Sequence, residues 1–191
     1  MEGKVIIFSA PSGAGKTTLT KHVLQSFPQL EFSVSATTRK PWPHETQGKD
    51  YYFISTDEFK SLIQQDALIE WEEVYNGSFY GTLKQEVKRI WEKGHHVVFD
   101  VDVKGGINLK KIFGNQALSI FIMPPSIDVL EKRLRKRGSE TEEVIKKRVN
   151  KAFSELDDYK FFDYLVLNEK LDKSKNDIFC IVDSFLNSTH V

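Results

Sequence analysis

From Ala10 the chain reads Ala10, Pro11, Ser12, Gly13, Ala14, Gly15, Lys16, Thr17 and Thr18, a run of small residues closed by a lysine and two hydroxyls. That order suits an anion. Small residues let successive backbone N–H groups curl around a phosphate, and a following helix adds the positive end of its dipole. Lys16 then reaches the outer phosphates and the Thr17 hydroxyl can hold magnesium. The usual pattern is G-x-x-x-x-G-K-[ST]; here Ala10 stands at the first glycine, while Gly15, Lys16 and Thr17 keep the remainder. Asp100 is a second candidate, because it ends the apolar run Val97, Val98, Phe99. A carboxylate at the C-terminal edge of a buried strand is placed to meet a magnesium ion through water.

Such groups converge only on a suitable scaffold. Apolar, β-branched or aromatic segments at Lys4–Ser9, His96–Val101, Leu118–Met123 and Asp163–Leu167 predict core strands. Helical patterns fall between and after them, at Lys16–Ser26, Leu83–Lys93, Ile127–Arg137, Thr141–Leu156 and Lys173–Leu186. Strand and helix alternate as in a parallel sheet. Thr82 with Gln85 and Ser139 with Glu142 have the spacing of capping boxes, and Gly94 and Gly138 follow helical runs where a left-handed closing residue is favoured. Two intervals depart from the rhythm. Residues 32–82 carry a polar, proline-containing loop and short aromatic strands near Tyr51–Ile54, Leu68–Val74 and Phe79–Tyr80, which predicts an inserted β-rich lobe. The stretch Ser126–Lys151 sets nine basic residues against five acidic ones.

A length of 191 residues suits one α/β domain with two excursions. The 27 basic and 27 acidic residues balance, so the chain as a whole offers no attraction to nucleic acid or to an anionic membrane. Any anion site must be local. Cys180 is the single cysteine, which excludes an internal disulfide and points to a reducing compartment. Its neighbours Ile178, Phe179, Ile181 and Val182 predict a buried packing role. With no leader before the first strand and no apolar run long enough to cross a bilayer, the expectation is a cytoplasmic protein.

The phosphate loop acquires a context from Ser33, Ser35, Thr37, Thr38 and Arg39, then Glu45, Gly48 to Tyr51, Ile69 to Trp71, Tyr80 to Thr82, and Asp100 with Asp102. Taken together and in this order, these motifs resemble a guanylate kinase over nearly the whole length. The resemblance implies a phosphate-loop nucleotide-kinase core, a parallel sheet flanked by helices, with an inserted β-rich GMP-binding lobe and a helical lid. Residues 1–187 would form one domain, with core 1–31, 83–125 and 157–187, lobe 32–82 and lid 126–156.

Guanine presents N1–H and N2–H donors beside an O6 acceptor, so a site selecting it wants a carboxylate beside a hydroxyl. Resemblance assigns Glu70 to that base edge, Thr82 and Ser35 to the neighbourhood of O6, and Asp102 to the guanine side. Arg39, Tyr51 and Tyr80 would bind the GMP phosphate, with Glu45 orienting Arg39. Residues 10–18, Arg133, Arg137 and Asn168 would bind ATP. Lys16, Arg39, Arg137 and Arg148 would act on the transferring group, with magnesium at Thr17 and, through water, at Asp100. The pattern breaks at Trp42, where a second basic residue is usual. Either Lys40 compensates for that contact or the indole stacks elsewhere on the lobe. His95 and His96, at a helix-to-strand junction, read as structural or exposed.

The implied activity is transfer of the γ-phosphoryl group of ATP to GMP or dGMP, in purine nucleotide metabolism. Alternatives are a non-catalytic module binding a phosphorylated peptide in the GMP lobe, or a kinase of another phosphorylated metabolite. The intact Gly15, Lys16 and Thr17 argue against the first, and Glu70, Thr82 and Asp102 against the second.

Overall fold

In a computed structural model the described residues are 3–75, 77–137 and 141–188, without the side chains of Tyr75 and Arg137. Five parallel strands form the main sheet: β1 (Val5–Ser9), β2 (Leu30–Phe32), β7 (His96–Val101), β8 (Ala117–Met123) and β9 (Tyr164–Leu167). Their spatial order is β2-β7-β1-β8-β9, which centres β1. All five β1 residues are buried, as expected of a strand covered on both faces. Its side chains alternate between two cores. Ile6 and Phe8 pack with Leu19 and Val23 of α1 (Lys16–Ser26) and Ile178 and Val182 of α7 (Leu171–Asn187). Val5 and Ile7 pack with Val87 and Ile90 of α3 (Lys84–Glu92) and Leu109 of α4 (Val103–Phe113). Complete burial of each large apolar side chain contributes about 1.5–3 kcal/mol before entropy is subtracted.

Residues 36–83 build a second sheet in the order β4-β3-β6-β5, from β3 (Ala36–Thr37), β4 (Tyr52–Phe53), β5 (Leu68–Tyr75) and β6 (Ser78–Leu83). Helix α2 (Thr56–Gln64) covers it and plants Phe59 against Ala36 and Leu68. Ser55 starts α2 with a complete capping box, its hydroxyl accepting from Glu58 N–H while the Glu58 carboxylate accepts from Ser55 N–H. Glu86, buried at the start of α3, accepts from Val34 N–H at 3.2 Å and from the Tyr52 hydroxyl at 3.1 Å, tying the two sheets together. Helices α5 (Ile127–Arg137) and α6 (Glu142–Glu155) pack on each other through Leu130, Leu134, Ile145 and Ala152.

Several expectations are corrected. Helix α3 begins with Leu83 as its cap and no side-chain capping bond, because Thr82 lies in β6 and its hydroxyl is used across the sheet. Cys180 is exposed: α7 buries Ser174, Ile178 and Val182 at four-residue spacing, and Cys180 falls off that stripe. Strands β2 and β3 and helices α2 and α4 join the elements read from the sequence. Gly94 has φ 75°, the left-handed closure expected after α3. The Ser139 capping box and Gly138 lie outside the described residues.

Candidate active site

The first half of the site is the turn between β1 and α1. Gly13 and Gly15 have φ of 95° and 99°, the left-handed backbone with which a loop can turn successive N–H groups toward one anion. Two side chains hold the turn from outside, with Asn168 Nδ2 and Arg133 Nη1 donating to the Ala14 carbonyl at 2.7 and 3.1 Å. A Cβ on Gly15 would meet Asn168 Nδ2 at 2.4 Å, so a side chain there is strained by φ and would push the Asn168 amide aside. Ala10 is buried in the α1-side core, where a methyl group fits. Pro11 accepts from Ala14 N–H at 3.1 Å and closes the turn. The Ser12 hydroxyl accepts from Arg148 Nη1 at 2.9 Å. Thr17 and Thr18 open α1 on its exposed side.

Lys16 pairs with Asp100, the residue opposite Phe8 on the neighbouring strand β7. Burial pulls the Lys16 pKa down to about 7, against the opposing pull of Asp102 and Glu155. A phosphate arriving in the loop would restore full charge to this ammonium. The oxygen donors here, the Thr17 hydroxyl and the Asp100 carboxylate, fit a hard cation that keeps most of its water and takes few protein ligands. Among the described residues no group of three or more His, Cys, Asp or Glu side chains forms a metal cage.

The second half lies on the other sheet. Glu70 of β5 and Thr82 of β6 are direct cross-strand partners, and the Thr82 hydroxyl donates to Glu70 Oε1 at 2.6 Å. Burial pushes the Glu70 pKa up to about 7; Asp102 and Glu72 add to this, and the Thr82 hydroxyl works against it. Asp102 caps α4, accepting from Gly105 N–H at 2.9 Å. A Cβ built on Gly105 would lie 3.0 Å from Asp102 Oδ1 and 3.1 Å from Glu70 Oε2, so the two carboxylates converge on one backbone position. Ser35 is buried just before β3, and its carbonyl accepts from Tyr52 N–H at 2.9 Å.

Nearby, Arg39 donates both terminal nitrogens to Glu45 at 2.7 Å and its Nε to the Tyr80 hydroxyl at 3.2 Å. Burial opposes the Arg39 charge, but Glu45 and Tyr80 outweigh it and hold the guanidinium protonated beyond its ordinary range. Tyr51 sits edge-on to Tyr80 at 6.0 Å and is pushed up to about 12, mainly by burial and then by Tyr80. The Tyr51 phenol therefore stays protonated at neutral pH, a hydroxyl donor beside a cation.

The structure thus gathers the expected residues into two clusters. Arg133 and Arg148 reach the phosphate loop from α5 and α6, while the Arg137 side chain lies outside the described residues. Lys151 was not among the expected site residues, yet its ammonium lies 3.4 Å from Asp102 and 3.3 Å from Glu155. Its spacing of three from Arg148 already put the two on one helix face. His96 Nδ1 accepts from Lys4 N–H and His95 lies beside Glu31, so both histidines are structural.

A glycine-bent loop at the end of the central parallel strand, with a lysine and an aspartate at its mouth, defines a phosphate-loop nucleotide-binding α/β protein. The guanylate kinase family profile matches residues 2–185. The guanylate kinase of Bacteroides fragilis is 48% identical over 185 residues, covering 97% of this chain and 91% of that protein. That of Salinibacter ruber is 45% identical over 184 residues, covering 96% and 97%. A crystal structure of guanylate kinase from Anaplasma phagocytophilum superposes with a TM-score of 0.80 at 29% identity, covering 98% of this chain and 88% of that one. The chain belongs to the guanylate kinase family.

Proposed function

We propose that the chain transfers the γ-phosphoryl group of ATP to GMP or dGMP, with residues 32–82 receiving the acceptor and residues 126–156 closing over the donor. The observation that carries this reading is the Thr82–Glu70 pair beside Asp102, a buried carboxylate and hydroxyl that fit the N1–H, N2–H and O6 edge of guanine. Adenine lacks the N1–H and places a donor where guanine has its acceptor. It would leave Glu70 unmatched, which costs about 1–3 kcal/mol for a buried polar group.

Each group then has a task. Glu70, Thr82, Ser35 and Asp102 hold the base; Arg39, steadied by Glu45, grips the acceptor phosphate with Tyr51 and Tyr80. The loop from Ala10 to Thr18 cradles the donor phosphates and Lys16 neutralises their outer charge. Thr17, and Asp100 through water, would hold magnesium, which supplies charge neutralisation on the donor phosphates. An oxygen of the GMP phosphate attacks the γ-phosphorus as the bond to the β,γ-bridging oxygen breaks, and that electron pair leaves on ADP. The attacking oxygen is already anionic, so alignment and charge replace a general base. Arg133, Arg137 and Arg148 complete the cationic clamp and Asn168 holds the loop on the adenine side. A cytoplasmic setting accords with the lone cysteine and with the lack, among the described residues, of a helix long and apolar enough to cross a membrane.

The test is ADP formation from ATP and magnesium with GMP, dGMP, AMP, UMP or no acceptor. GMP should stimulate turnover far above AMP in the wild type, and Lys16→Ala should abolish it. Folded wild type indifferent to GMP would refute the reading.

A further inference from the structure

Trp42 stands where the family pattern has a basic residue, and in the fold it lies where two arginines from different parts of the chain meet. Its backbone N–H donates to Glu45 Oε2 at 2.8 Å, and the same carboxylate grips Arg39. Glu45 therefore sets the loop and the guanidinium together, and the indole lies 4.5 Å from Arg39 Cζ. Arg148 of α6 approaches the same ring, with Cζ 5.8 Å from its centre, while its Nη1 holds the Ser12 hydroxyl of the phosphate loop at 2.9 Å. A continuous line of contacts thus runs from Glu45 through Arg39, Trp42 and Arg148 to Ser12. It joins the acceptor-phosphate cluster to the donor loop.

Two guanidinium groups brought together repel unless something between them is negative. The face of an indole is the strongest such surface among the neutral side chains, and it needs no bound phosphate to act. An arginine at position 42 would instead put a third cation beside Arg39 and Arg148 in place of that face. We infer that Trp42 is a positioning residue that couples the two substrate sites, its ring holding Arg39 and Arg148 in one arrangement so that occupancy of either site favours the other. The inference rests on the donor and acceptor assignments proposed above.

Calorimetric titration of a non-hydrolysable ATP analogue with magnesium, into protein free of GMP or saturated with it, reads this coupling. In the wild type GMP should tighten analogue binding by about 3- to 10-fold, and the analogue should tighten GMP binding by the same factor. Trp42→Leu, apolar but without a ring, should bring the factor to near one and lower kcat more than it raises KM for GMP. Trp42→Phe should retain a measurable part of the coupling. In Arg148→Ala protein, Trp42→Leu should cause no further loss of coupling. Undiminished coupling in Trp42→Leu, or a Trp42→Phe protein coupled no better than Trp42→Leu, would overturn the inference. Uncoupled binding in a wild type that still turns over GMP would overturn it while leaving the kinase reading intact; absence of GMP-dependent turnover counts against the kinase reading instead.

Discussion

The Thr82 hydroxyl donates to Glu70 Oε1 at 2.6 Å from the position directly opposite on the neighbouring strand. A carboxylate buried in this way, and facing Asp102, holds its proton up to about pH 7. Guanine needs it ionised, because both N1–H and N2–H are donors. Lowering the pH through this pKa therefore removes the acceptor, and KM for GMP should rise by about tenfold between pH 8 and pH 6. The GMP phosphate and Lys16 titrate nearby, so the readout is the difference between wild type and Glu70→Gln, whose profile should be flatter. Parallel profiles would remove Glu70 from the base edge.

Replacing Thr82 with Val nearly keeps the volume of this fully buried side chain and removes its hydroxyl. The preference for GMP over AMP, taken as a ratio of kcat/KM values, should fall by about 5- to 100-fold, the equivalent of one lost buried hydrogen bond. KM for ATP should stay within about twofold, since uniform loss of affinity is not what a base-reading contact produces. An unchanged GMP-to-AMP ratio would count against the role of the hydroxyl.

Gly15→Ala tests the loop. At φ 99° an alanine carries a left-handed penalty of about 1–2 kcal/mol, to which contact with Asn168 adds. We expect a lower melting temperature and severe loss of ATP-analogue binding. Guanosine binding should survive, because Glu70 and Thr82 lie on the other sheet and Asp102 is fixed by its cap on α4, none of them in the loop. Retained ATP affinity would mean that the turn adapts more than its contacts allow.

At the far edge of the main sheet, Glu31 pairs with Arg89, Lys93 and His95. Burial raises its pKa, but Arg89 and Lys93 more than reverse this and bring it down to about 2. A carboxylate more acidic in the folded chain stabilises it above the unfolded pKa near 4.5, and that contribution is lost as pH falls toward 2. Melting temperature should therefore drop between about pH 5 and pH 3 in the wild type. Glu31→Gln should melt lower at pH 7 and show less of this acid dependence; identical curves would assign the acid sensitivity elsewhere.

The parts of the fold with a strong single signal were legible. An apolar run followed by small residues, lysine and threonine gave β1, the loop and α1, and the end of an apolar strand gave Asp100. Helix α4 escaped because Gly105 and Gly106 weaken its propensity. These glycines answer instead to close packing: a Cβ on Gly106 would fall 2.0 Å from Ser9 Oγ. Asp102 caps that unread helix, so its turn chemistry and its place beside Glu70 share one side chain. Helix α2 was announced by Ser55 and Glu58, but its short length amid aromatic strands hid it in a region read as β. The likeness of Thr82 and Gln85 to a capping box failed because the pattern records spacing, whereas a partner across the sheet decides where the hydroxyl points. Trp42 is the same lesson in reverse: its meaning depends on Arg148, more than a hundred residues away in sequence.

The two sheets share no strand among the described residues, and each has its own hydrophobic cluster. Glu70 and Thr82 sit on the sheet packed around Phe59, while the register of β1 and the bend at Gly13 and Gly15 belong to the other. Choice of acceptor and use of donor therefore draw mainly on different sheets, joined where Asp102 meets Glu70 and where Trp42 meets Arg39 and Arg148. A library varied only within the second sheet can search for new bases while the loop that cradles the donor keeps its own sequence.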